Sequence, residues 1–114
     1  MKLHFRDPTF SFELLRAASY GMYGGSEIGE VLATARRIRE GDFESWYIEW
    51  SRIAERIEMI AGTSIQEGHR ISAQQAFLRA SNYYRTAEFF LPPDDPRRSE
   101  TYRSEEHTSE LQSR

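Results

Sequence analysis

The 114-residue chain contains no cysteine. Disulfides, thiolate nucleophiles and cysteine-ligated zinc are therefore excluded. It has only three histidines, His4, His69 and His107, and no neighbouring pattern sets any of them up as an acid, a base or a metal ligand. No apolar run approaches the roughly 20 residues of a membrane-spanning helix, and the mean hydropathy is −0.70, so no membrane partner is expected. There is no basic surplus either. The formal net charge is −3, which predicts none of the phosphate contacts that bind nucleic acid. The opening MKLHFRDPTF lacks a signal peptide's apolar core, because Arg6, Asp7 and Pro8 stand in its place; a cytoplasmic location is expected. The serine elbow G-x-S-x-G is also missing. Gly62-Thr63-Ser64-Ile65-Gln66 has the first glycine and the serine but not the second glycine, and it falls inside a helical pattern. No metal site, no cofactor and no catalytic residue is expected from what remains.

What is present is helical periodicity, enough for one small all-α domain. After a short extended lead, a first helix is expected from Thr9 to Tyr20, with Phe10, Leu14, Leu15 and Ala18 on one face. Gly21 ends it, and Gly24-Gly25 make a turn needing positive φ. Ser26 is a suitable N-cap for a second helix to Glu40. Its stripe is Ile28, Val31, Leu32, Ala35 and Ile38, and Gly41 closes it. Asp42 caps a third helix running to about Glu67, on the stripe Trp46, Trp50, Ile53, Ala54, Ile57, Ile60, Ala61, Ser64 and Ile65. The phase passes through Gly62 without a slip, so one helix is read despite the cost of about 1 kcal/mol for an interior glycine.

The fourth helix, Ile71 to Leu91, is the most strongly patterned. Ala73, Ala76, Phe77, Ala80, Tyr84, Ala87 and Leu91 recur every three or four residues. Ser72 and Gln75 read as a capping box with Ile71 as half of a staple, and Pro92-Pro93 as the stop. The last two helices should form a long antiparallel hairpin. Gly68, Ala73, Phe77 and Ala80 match the second half of a tetratricopeptide repeat in spacing and type. Ser64 and Arg85 stand where that repeat has tyrosine and proline, and no second copy follows.

Three aromatics are candidates for contact with a small molecule. Trp46 lies on the buried stripe, where core packing competes with a flat apolar wall for a substrate. Tyr23 sits among Gly21, Gly24 and Gly25, in the kind of loop where ligand contacts concentrate; a tyrosine closing the core is the other reading. Tyr83 belongs with Arg79, Thr86 and Phe90 to a second face of the last helix. A lone four-helix unit would leave Tyr83 and Phe90 partly exposed, suiting a docked domain, a crowded core or a homodimer contact. His69 reads as a solvated turn residue, Arg36, Arg37 and Arg39 as a solvated helix end, and Glu55 and Glu58 as an exposed charged face.

The tail, RSEEHTSELQSR from Arg103 to Arg114, has no apolar period. Arg103 to Ser113 agree residue by residue with the in-frame translation of a common short-read sequencing adapter. Residues 103–114 are therefore expected to be a non-native, disordered tail, residues 1–102 the helical domain, and the natural protein to continue past Tyr102.

Three stretches together carry a family resemblance: YGGSEIGEVLATARRIREGDFESWYIEW (Tyr23 to Trp50), the Gly68-His69 to Ser72-Ala73 turn, and LRASNYYRTAEFF (Leu78 to Phe90). They resemble the amino-terminal helical region of α/β-hydrolases of the group that includes 2,6-dihydroxypseudooxynicotine hydrolase and the fungal hydrolases that shorten polyketide pigments. The resemblance implies a cap or lid preceding a serine-hydrolase domain that cleaves esters or carbon–carbon bonds, with all catalytic residues in that later domain. It implies that the chain alone is inactive, that its partners are the hydrolase domain of its own chain and a small-molecule substrate, and that Tyr23, Trp46 and Tyr83 line the cap side of the pocket. A free-standing helical interaction module of tetratricopeptide-like type is the alternative.

Overall fold

The computed structural model describes residues 4–100; the adapter-like tail lies outside them. Among the described residues there are helices and no strands. The elements are α1 (Pro8–Ser19), a 3-10 turn (Tyr20–Tyr23), α2 (Ile28–Arg37), α3 (Phe43–Gln66) and α4 (Arg70–Glu88). The α3–α4 pair makes the most extensive contact. The all-α expectation, and a single α3 running through Gly62, both hold.

Helix starts follow the side chains that reach free backbone N–H groups. Asp7 accepts from Thr9 and Phe10, ahead of Pro8 at the first position of α1. Asp42 caps α3 through Ser45 N. The cap of α2 is Glu27 and not Ser26: its carboxylate takes the N–H groups of Gly29 and Glu30 at 3.0 and 2.8 Å. Those two bonds hold the Glu27 carboxyl below its ordinary pKa. Ser26 is instead buried, its hydroxyl 3.4 Å from Ala18 O.

The Ser72 capping box is not formed. Gly68, at φ 81°, ends α3 in a Schellman arrangement, with His69 N donating to Ser64 O and Gly68 N to Ile65 O. The chain has then already reversed, so α4 begins at Arg70, places Ser72 inside the helix and leaves Ile71 exposed. α1 passes into the 3-10 turn at Tyr20 without stopping at Gly21, and Gly24, at φ 81°, makes the reversal. α2 stops at Arg37 because Ile38 turns extended to bury its side chain, while Ser45 Oγ bonds both Arg39 N and Arg39 O. Gly41 lies in the following turn and not at the cap.

The core is an aromatic chain. Phe5, in the lead segment, meets Phe10 at 5.4 Å, Phe10 meets Trp46 at 5.4 Å and Phe90 at 5.0 Å, Trp46 meets Trp50 at 5.7 Å, and Trp50 meets Tyr83 at 5.7 Å. Such pairs contribute about 0.5–1.5 kcal/mol each beyond area burial. The stripe expected on the last helix is buried, from Ala73 to Leu91, although α4 ends at Glu88 and not at Leu91. Four expected core residues are not. Leu15, Ile28, Ile60 and Ile65 are exposed, while Glu13 and Ala17 take the inner face of α1. The α1, 3-10 and α2 segments lie on the face of α4 expected to be open, so Tyr83 is fully buried and Phe90 half-buried. After α4, Arg98 caps the carbonyls of Glu88 and Leu91. Arg97 reaches Glu44 and lies 4.7 Å over the Tyr47 ring.

Candidate functional site

The most elaborately built surface feature is the loop from Tyr20 to Glu27, fastened to the middle of α4. Gly24 supplies the left-handed turn, and Gly25 N closes it on Tyr20 O at 2.8 Å. Asn82, buried on α4, donates to Gly25 O at 2.9 Å and to the Tyr23 hydroxyl at 3.2 Å. Gly25 must be glycine for packing: an added Cβ would sit 2.5 Å from Asn82 Nδ2 and 2.6 Å from the Tyr23 ring. The next residue of α4 is Tyr83, whose hydroxyl accepts from Glu27 N at 3.0 Å and donates to Glu30 Oε1 at 2.7 Å. Arg79 completes the group with two bonds to the same carboxylate, at 3.0 and 3.4 Å. Burial first, and Glu30 beside it, push the Tyr83 pKa well above a phenol's ordinary value. Tyr83 is thus a fixed hydrogen-bond donor and not a base.

The three candidate aromatics end in different places. Tyr23 presents its ring to solvent, 60% exposed, beside Met22 at 93%. Because its hydroxyl accepts from Asn82, its own proton remains for another acceptor. Trp46 has no exposed surface and donates its indole N–H to Thr86 O at 2.8 Å. Tyr83 is equally buried and fastens the loop from beneath. The structure therefore joins Tyr23 and Tyr83 through one hydrogen-bonded loop and leaves Trp46 in the core. Asn82, Gly25 and the Glu30–Arg79 pair were not foreseen. Their signal was Asn82 itself, a poor helix former at the centre of an apolar helix.

A second feature is a cleft of about 40 Å³ between α1 and α4, lined by Glu13, Arg16, Tyr20, Arg85 and Phe89 among others. Burial pushes the Glu13 carboxyl up, partly opposed by Arg16 at 3.7 Å. Among the described residues no group of three histidines, aspartates or glutamates could hold a metal, and no helix is long and apolar enough to cross a membrane. His69 is exposed at the α3–α4 turn, and His4 is exposed in the lead segment.

The chain is similar to fungal hydrolases. It is 43% identical over 95 residues to 20-hydroxy-prefusarin hydrolase FUS2 of Gibberella moniliformis, covering 82% of this chain and 23% of that protein. It is 42% identical over 90 residues to hydrolase acrC of Aspergillus aculeatus, covering 77% of this chain and 21% of the relative. With alpha/beta hydrolase psoB of Aspergillus fumigatus the identity is 44% over 87 residues, covering 76% and 20%. No protein-family model matches the chain. The chain spans about a fifth of the length of these relatives, and over that span it belongs to the α/β-hydrolases.

Proposed function

We propose that this chain is the helical cap of an α/β-hydrolase, seated over a separate catalytic body and forming one wall of the path to it. The observation that carries the reading is the surface along α1 and the 3-10 turn. Phe12 (65% exposed) stands out there from α1, and Met22 and Tyr23 from the loop that Asn82 and Tyr83 fasten. Rigid aromatics on a pinned loop are what a cap needs if it is to position an apolar substrate without an ordering cost at each turnover. Tyr23 would touch the substrate, Tyr83 would hold the loop, and Trp46 would stiffen the wall from behind. The nucleophile and oxyanion donors would belong to the catalytic body, where a serine attacks a carbonyl or ester carbon.

Two measurements test the reading. The 114-residue chain alone should hydrolyse an activated ester no faster than an unrelated helical protein. In the whole hydrolase carrying this segment, Tyr23→Ala should raise KM by about tenfold, the size of one lost ring contact, and change kcat little. Esterase activity of the isolated chain, or an unchanged KM for Tyr23→Ala, overturns it.

A further inference from the structure

The arginines of the chain differ in what they meet. Arg39, Arg79 and Arg97 each lie within 3.0 Å of a carboxylate. Arg37, the last residue of α2, and Arg56, in the middle of α3, meet no carboxylate among the described residues. Both line one groove of about 190 Å³ between α2 and α3, together with Glu49, Arg52 and Ile53. Glu49 is the carboxylate of the lining, and it is already engaged: Arg52 Nη1 lies 3.4 Å from each of its oxygens. That pair cancels in charge, so Arg37 and Arg56 leave the groove with two uncompensated positive charges. They do so in a chain whose formal net charge is −3.

We propose that this groove binds a tetrahedral dianion of the phosphate type, as the free ion or as a phosphate monoester. Two unpaired guanidinium groups match two negative charges. Arg56 stands one helical turn beyond Arg52 on the same face of α3, whereas Arg37 comes from α2, so the donors reach the groove from two elements. A planar carboxylate is satisfied by one guanidinium fork. A phosphate has oxygens for donors on both sides. Buried Ile53 supplies an apolar part of the wall, which lowers the local dielectric beside the anion. The arginines themselves are exposed, and salt screens them, so the affinity is modest. The groove holds one anion, and the acidic surface around it repels a polyanion. The inference does not depend on the cap role.

Titration calorimetry of the 114-residue chain at low ionic strength, with inorganic phosphate, phenyl phosphate and sulfate, is expected to show one site with a Kd of about 1 mM. Arg37→Ala and Arg56→Ala each remove a donor fork and should weaken phosphate binding at least about fivefold. Arg36→Ala removes the same charge beside Arg37 but not from the lining, and should leave the Kd within about twofold. All three side chains are exposed, so circular dichroism should show unchanged helicity. A phosphate monoester has its second pKa at about 6, so moving from about pH 8 to about pH 5 makes phenyl phosphate a monoanion. Its binding should then weaken at least about fivefold, while sulfate, a dianion at both values, should bind no more weakly. Phenyl phosphate bound as tightly as inorganic phosphate assigns the groove to a monoester; inorganic phosphate bound alone assigns it to the free ion. No saturable binding, equal losses from Arg36→Ala and Arg37→Ala, or a monoanion bound as well as the dianion would overturn the proposal.

Discussion

Trp46 and Trp50 lie one turn apart on α3, are both fully buried, and differ in what one nitrogen meets. Trp46 Nε1 donates to Thr86 O at 2.8 Å, whereas Trp50 Nε1 is buried without a partner among the described residues. Replacement by phenylalanine removes similar ring area at both sites. At Trp46 it also removes a buried hydrogen bond, leaving the Thr86 carbonyl only the 3.3 Å contact from Phe89 N. At Trp50 it removes a donor whose unsatisfied burial already costs about 1–3 kcal/mol. Trp46→Phe should therefore be the more destabilising, by about 2 kcal/mol, read as the difference in urea midpoints at equal slope. Equal losses would show that the two indoles are held alike. The sequence reading placed both residues on the buried stripe. It had no means to tell which indole meets a carbonyl, because that depends on how α3 and α4 slide past each other. Buried Glu13 was hidden for the same reason: a charged residue on α1 reads as outward until α4 is docked.

At the scale of the element, two glycines, Gly25 buried and Gly62 half-buried, make opposite predictions. Gly62 lies inside α3 with nothing within 4 Å of where a Cβ would go. Gly62→Ala should thus stabilise the chain by about 1 kcal/mol, the ordinary helix-propensity difference. At Gly25 an added Cβ would strike Asn82 Nδ2 and the Tyr23 ring, both held by hydrogen bonds. Gly25→Ala should destabilise by about 1–3 kcal/mol, as overpacking does, and should release the loop. Thermal melts of the two variants check the signs; a loss at Gly62 or a gain at Gly25 contradicts the packing described. Helix existence and phase were legible because apolar spacing repeats over many residues, as the continuity of α3 through Gly62 shows. Helix starts were less so. Ser26 and Ser72 have the right chemistry for caps, but Glu27 reaches the α2 donors better, and the Schellman turn at Gly68 commits α4 before Ser72 is reached. A cap depends on where the chain has just come from, which local residue type does not record.

At the scale of the whole molecule, the described residues form two helix layers, the α3–α4 hairpin and the α1–turn–α2 layer. A two-layer arrangement gives every helix one inner and one outer face, and outer apolar residues then call for a covering partner. The sequence reading put the leftover apolar surface on α4, at Tyr83 and Phe90. Docking of the 20–27 loop buries Tyr83, and the exposed apolar surface emerges on the covering layer instead, at Phe12, Met22 and Tyr23. Which side of a helix is covered was not legible, since both faces of α4 carry large aromatic or apolar side chains and only the docking of the first layer chooses between them. If the outer surface on α1 and the turn is a covered face left open, it should bind a hydrophobic dye in the folded chain. Phe12→Ser with Met22→Ser should then remove most of the dye signal. Because both side chains are exposed, the pair should change stability by no more than about 0.5 kcal/mol per site. A dye signal that survives the double substitution would place the binding elsewhere, either in a loosened core or on α3 at Met59 and Ile60, which are exposed. Adding Met59→Ser separates these two, because it removes apolar surface from α3 and leaves the aromatic core untouched.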